Sequence, residues 1–370
     1  MIYADNAATT KLDPAALDAM MVYLKDDYSN PSQPYSFSRQ SKKALRESRE
    51  IIANVIGAAP EEIYFTSGGS ESDNWALKGL PYTEKSQIIT SMIEHHAILN
   101  TCKEIEKHGI HSVYLRPEID GTITADNLES EINNNTSLVS IMTVNNEIGT
   151  VQPVSELAEV AHKHGALFHT DAVQAVGHIP VNVKETGVDM LSASAHKFNG
   201  PRGIGFLYIK KGTSLSPFIN GGAQEKHMRA GTENVASIVA MAEALRINAE
   251  LMEENEAKLI RCEKIIEDGL KGIDYIRNGG SDHSPGVMSL SFRGMDGEAL
   301  LHRMDLMNIC ISTGSACTSG RTTVSHVIDA IGLEDIYAKG TIRISLGRYN
   351  DEEDAVVIAK ALRKIIGVNV

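Results

Sequence analysis

Short apolar runs recur between about residues 50 and 210, separated by amphipathic stretches, and this alternation restricts the fold more than any other feature. The runs at 63–65, 87–90, 112–115, 138–144, 166–170, 190–194 and 205–209 read as strands. Apolar residues at helical spacing mark 70–78, 97–108 and 155–164 as helices. Strands alternating with helices predict an α/β layer with a largely parallel sheet. In such sheets ligands bind beyond the carboxyl ends of the strands, so the residues that follow each run are the ones to inspect.

The rest of the chain is organised differently. Residues 235–271 hold no Pro and one Gly and read as one long or two consecutive helices. Strand-like 286–292, a helix near 297–304, strand-like 308–312, a Gly/Ser/Thr loop, strand-like 341–346 and a final helix predict a smaller α+β unit. The expected division is a large domain over 13–255 and a small domain from 1–12 and 256–370. A chain of 370 residues can bury a core in each.

A net charge of −13 argues against a nucleic-acid-binding surface. No apolar run approaches the roughly 20 residues that span a bilayer. The N-terminus lacks a basic segment followed by an apolar one, so a cytoplasmic location and no membrane contact are expected. Four cysteines (Cys102, Cys262, Cys310, Cys317) show no CxxC spacing, which predicts free thiols and no metal site. Cys310, in an apolar run, is expected to be packed, and Cys102 and Cys262, in helical patterns, are expected to be bystanders to the chemistry.

The strand ends carry chemistry. In SASAHKFNGPRGIG an apolar strand delivers Lys197 to a Gly/Pro turn. A lysine there is costly unless neutralised, and a Schiff base with pyridoxal phosphate would do so. It can equally be a surface lysine. TSGGSESDN places Gly69 and Ser70 where a strand meets a helix, either a phosphate cradle or a plain capping box of Ser70 and Asp73. FHTDAVQ places Asp171 after a strand, as partner to a buried cation such as a pyridinium or as a helix cap, with Gln174 three residues on. IEHHAILN offers His95 to stack on a flat ring and move protons, while His96 points elsewhere; a structural histidine is the alternative. STGSACTSGRTT holds Cys317 among small residues, as a mobile nucleophile or an incidental thiol. In TIRISLGRYN, Arg343 alternates with two Ile and can clasp a carboxylate or face solvent. Arg348 is expected at a surface or interface.

Together these segments resemble the cysteine desulfurases, fold-type I pyridoxal phosphate enzymes of the class-V aminotransferase type. The likeness runs from YADNAATT through SLGRYN and includes VNNEIGTVQP, SAHKFNGPRGIG, MRAGT and GSACTSG. It implies that Lys197 anchors the cofactor and then moves protons. Asp171 would pair with the pyridinium nitrogen, Gln174 with the phenolic oxygen, and His95 with the ring. Asn146 would lie near ring and substrate. Gly69, Ser70, Ser194 and His196 would hold the phosphate, and Thr232 would reach the phosphate of a partner subunit, giving a homodimer with shared sites. Arg343 would take the carboxylate of L-cysteine, and Cys317 would accept its sulfur as a persulfide. The product would be L-alanine. A protein acceptor in iron–sulfur cluster assembly or tRNA thiolation would then take the sulfur.

The chain departs from the family pattern at Ser36, where a His is common, at GGAQE, and at Ser70, where Thr is frequent. It closes at Val370, where relatives often extend to dock a scaffold, so the acceptor stays unnamed. A selenocysteine lyase, or a class-V enzyme without desulfurase activity, shares the scaffold. Cys317 argues against the latter, which needs no loop thiol.

Overall fold

The computed structural model describes residues 1–83, 86–314 and 324–367. A two-residue strand, Ile2–Tyr3 (β1), opens the chain. Helices Pro14–Lys25 (α1) and Ser38–Ile56 (α2) follow. Asp13 caps α1 by accepting from the N–H groups of Ala15 and Ala16, with Pro14 in the first turn. Gly57, at φ +73°, ends α2 in the left-handed conformation that only glycine adopts at little cost.

The large sheet comes next. Its strands are Ile63–Thr66 (β2), Gln87–Ser91 (β3), His111–Leu115 (β4), Thr136–Ser140 (β5), Leu167–Asp171 (β6), Met190–Ser194 (β7) and Gly205–Ile209 (β8). They lie in the order β2-β8-β7-β6-β5-β3-β4. Only β8 pairs antiparallel to its neighbours. Side chains alternate between the two faces. Ile88, Leu138, Met190 and Leu207 join one core cluster with Trp75. Their chain neighbours Ile89, Val139, Leu191 and Phe206 join another with Ile52 and Leu245. Both faces are therefore covered, which explains why these strands read as unbroken apolar runs rather than alternating ones.

The expected strand 138–144 ends early, at Ser140. Beyond it the Met142 N–H bonds to the Glu94 carboxyl, so pairing with β3 stops, while the Ile141 and Thr143 N–H groups still donate to the His169 and Asp171 carbonyls of β6. The apolar residues of 141–144 are buried all the same, and burial alone gave them their strand-like look.

Residues 235–271 form two helices, Val235–Glu250 and Met252–Gly269, meeting at Leu251. A three-stranded antiparallel sheet then forms from Tyr275–Asn278 (β9), Val287–Phe292 (β10) and Thr341–Ser345 (β12). Ile309–Cys310 (β11) pairs in parallel with β1. Met288, Leu290, Ile342 and Ile344 share a separate apolar cluster with Leu259 and Ile266. Ala4 joins it, so the first residues of the chain pack with the last hundred. Cys102 and Cys262 are buried, whereas Cys310, expected to be packed, is only half-buried on the short β11. Arg348 is not a surface residue: it is half-buried and ion-paired with Asp13.

Candidate active site

A cavity of about 600 Å³ opens at the carboxyl ends of β2, β3, β6 and β7. Gly69, Ser70, His95, Asn146, Asp171, Gln174, Ser194, His196, Lys197 and Arg343 all line it. The sheet register explains most of this convergence. Strands running the same way deliver the residue after each strand to one edge.

The turn after β2 leads into the helix Gly69–Lys78 (α3). Its cap, Gly68, sits at φ +148° and provides no side-chain hydrogen bond. The alternative of a Ser70–Asp73 capping box is therefore not realised. Ser70 is exposed on the cavity wall, and Asp73 is a buried part of the same lining. The backbone is tightly enclosed here. A Cβ on Gly69 would lie 2.6 Å from Val173 Cγ2, and one on Gly205 would lie 2.7 Å from Gly68 Cα. An uncapped helix start with hydroxyls and a histidine nearby is a ready anion site.

Lys197 ends the single turn 195–197 after β7 and is half-buried. Its Nζ donates to the carbonyl of Ala7 at 2.6 Å and of Ala8 at 3.0 Å. Gln174 Nε2 donates to the same Ala7 carbonyl at 2.9 Å. His196 Nδ1 lies 3.1 Å from Thr9 Oγ1. The segment after β1 thus crosses the cavity and binds three of the expected cofactor residues.

Asp171 is buried, and its Oδ1 accepts from the Val173 N–H at 2.9 Å. No helix begins there, so the bond closes a side-chain turn rather than capping a helix, and the carboxyl lines the cavity. Burial pushes its carboxyl up, opposed by His95, the Val173 N–H and Lys197. His95 caps the helix His96–Glu106 (α4), with Nδ1 accepting from the Ala97 N–H at 3.1 Å. Neutral His95 therefore carries its proton on Nε2. Burial holds the ring below the ordinary imidazole range, so it is neutral at pH 7. His96 turns away, edge-on to His326 at 4.8 Å.

Arg343 is not at a solvent-facing strand position but 4% exposed. Its neighbours Ile342 and Ile344 enter the small apolar cluster, so the pleat turns Arg343 to the cavity. Nη1 donates to the Asn146 carbonyl at 2.9 Å and Nη2 to Asp5 Oδ1 at 2.8 Å. Thr232 is exposed and does not line the cavity of its own chain. Cys317 lies outside the described residues. Gly314, three residues before it, lines the cavity.

Sequence reasoning missed Asp5, the Ala7 and Ala8 carbonyls, and Asp73 as a buried acid. Asp5 and the alanines lie within YADNAATT, but nothing local marks them as partners of Arg343 and Lys197. Asp73 was visible only as half of a capping box.

The model of the family described as "Aminotransferase class-V" matches residues 2–357. The chain belongs to the class-V aminotransferase family, among its cysteine desulfurases. It is 44% identical to "Cysteine desulfurase IscS" of Dictyoglomus turgidum, over 99% of this chain and 94% of that protein. It is 43% identical to "Putative cysteine desulfurase IscS 1" of Bacillus subtilis, over 99% and 98%. A solved structure described as "NIFS-LIKE PROTEIN" superposes with a TM-score of 0.94 at 36% identity, covering 100% of both chains. Another, "SspA in complex with cysteine", gives 0.85 at 38% identity, covering 95% of this chain and 100% of that one.

Class-V aminotransferases use pyridoxal phosphate, and the site has the chemistry for it. The glycine turn that a Cβ would fill suits the phosphate. The buried Asp171 suits a protonated ring nitrogen. Lys197 supplies the amine, and the neutral His95 supplies a flat, polar-edged neighbour.

Proposed function

We propose that this chain is a cysteine desulfurase that converts L-cysteine to L-alanine and stores the sulfur on Cys317 as a persulfide. The observation that carries the reading is one cavity lined by Lys197, Asp171, Arg343 and Gly314. Pyridoxal phosphate, when bound, supplies an electron sink for the substrate α-carbon. Gly69, Ser70, Ser194 and His196 would hold its phosphate, and Asp171 and Gln174 its ring.

The chain's own groups do the rest. Arg343 binds the substrate carboxylate, sharing its guanidinium with Asp5 and the Asn146 carbonyl. The Lys197 amine takes the α-proton and returns one. His95 offers its Nε2 proton first, because a proton on Nδ1 would have to displace the Ala97 N–H. This narrows its expected role: the neutral ring begins as a donor. The Cys317 thiolate attacks the substrate sulfur. One sulfur–sulfur bond forms, one carbon–sulfur bond breaks, and the released pair ends as a C–H bond of alanine. Cysteine and one protein thiol thus give alanine and one persulfide.

Thr232 is exposed, which suits a residue that completes the site of a second copy, so a homodimer is part of the proposal. A protein acceptor then takes the sulfur by thiol exchange, in the cytoplasm. The deciding experiment measures alanine and sulfide from L-cysteine with and without Cys317→Ala. Alanine formation should stop in the variant while cofactor binding stays. Unchanged turnover of L-cysteine by the variant would sink the mechanism.

A further inference from the structure

The buried acids beneath the cavity must divide charge and proton between them. Asp73, on α3, and Asp171, at the end of β6, approach with His95 so that one polar atom of each lies within 4.8 Å of the others. The two aspartates are 1% and 5% exposed. Two carboxyls this close and this dry cannot both ionise, so one charge and one proton are kept.

The surrounding groups decide which acid holds which. Asp171 accepts from the Val173 N–H and has His95 and Lys197 near it, all of which favour its charge. Asp73 has a poorer set. Its Oδ1 has no hydrogen-bond partner among the described residues. Glu94, from the turn after β3, is a second buried acid beside it. Of the groups acting on Asp73, only the Ser192 hydroxyl on β7 favours ionisation. The nearest base is His169 on β6, with Nε2 at 3.8 Å from Oδ1. That ring cannot supply a positive charge. It is fully buried, its Nδ1 lies 2.9 Å from Ser140 Oγ and its Nε2 3.0 Å from Ser192 Oγ. Burial pushes it down to about 3.

We propose that Asp73 is a positioning residue that remains un-ionised, so that Asp171 alone carries the negative charge offered to the cofactor's ring nitrogen. This rests on Asp171 being the ring partner. A second charge behind Asp171 would repel it and draw a proton onto it, which would remove the partner the ring nitrogen needs.

The test uses the full chain with aspartate carrying carbon-13 at the side-chain carboxyl, followed by infrared spectroscopy across pH, with and without pyridoxal phosphate. The isotope separates aspartate from Glu94. A labelled band of an un-ionised carboxylic acid should persist at neutral pH. Asp73→Asn should remove it and still bind pyridoxal phosphate nearly as wild type, since the amide is also neutral. Asp171→Asn should lose most of the cofactor affinity. Absence of the band at neutral pH overturns the proposal. So does its persistence in Asp73→Asn or, should that variant fail to fold, in Asp73→Glu, where the label no longer reports on position 73. A cofactor defect in Asp73→Asn as large as in Asp171→Asn also overturns it. If pyridoxal phosphate does not bind at all, the reading of the site fails while the band still reports on Asp73.

Discussion

The two walls of the cavity are built in different ways. The cofactor wall comes from one sheet: Gly69, Asp171, Ser194 and Lys197 each follow or end a neighbouring strand, and hydrogen-bond register fixes their spacing. The substrate wall comes from segments far apart in the chain. Arg343 meets Asp5 across 338 residues and the Asn146 carbonyl across 197. The segment after β1 belongs with the small apolar cluster through Ala4, yet its carbonyls hold Lys197. The first wall is rigid because the sheet is. The second depends on how the ends of the chain pack against it, and damage to it should act on the substrate more than on the cofactor.

The largest effect should come from the cofactor wall. Lys197→Ala should cut alanine formation by about 10³-fold or more, since it removes both the anchoring amine and the proton carrier. The check is turnover together with loss of the visible absorbance that borohydride fixes to Lys197.

The substrate wall should respond differently. Arg343→Ala should lower kcat/KM by about 10- to 100-fold, the worth of a lost charged hydrogen bond, while cofactor affinity stays. Equal loss of both would erase the distinction between the walls. Ser345→Ala acts through the backbone. Ser345 Oγ accepts from the buried Ala7 N–H at 2.9 Å. Removing it should cost about 1–3 kcal/mol of stability and raise KM, with little change in the cofactor spectrum. Denaturant midpoints and KM on one preparation test both.

Two smaller effects concern pH. Burial keeps His95 neutral below the ordinary imidazole value of 6.5, so the acid limb of kcat/KM assigned to it should lie below that pH. His95→Gln should remove the limb. Glu94 is fully buried and pushed up to about 8 from 4.5, although Ser91 and the Met142 N–H both donate to its Oε1. Its folded pKa is above the unfolded one, so the unfolded chain ionises first. Stability contributed by the neutral acid is complete below 4.5 and declines as pH rises toward about 8. Glu94→Gln should flatten that decline in denaturant titrations.

The cofactor wall was largely legible in the sequence, because apolar runs mark strands and a parallel sheet puts the following residues on one edge. Lys197, Asp171 and Ser70 needed only that rule to be grouped. The substrate wall was legible as residue types but not as partners: Arg343 could be singled out, Asp5 could not. His95 lines the cavity that the strand rule points to, yet which nitrogen holds its proton came from the Ala97 N–H. Asp73 looked like half of a cap until the helix began at Gly69 with no side-chain cap.

The sequence by itself determined the alternation of strands and helices, the two faces of the sheet, and the set of polar residues that strand ends present. These follow from local periodicity and from burial, which each residue carries with it. The tertiary structure decided which of those residues meet: Ala7 with Lys197, Asp5 with Arg343, Asp73 with Asp171. Such pairs depend on packing between segments up to hundreds of residues apart, and the charge of a buried acid depends on every neighbour that packing brings to it.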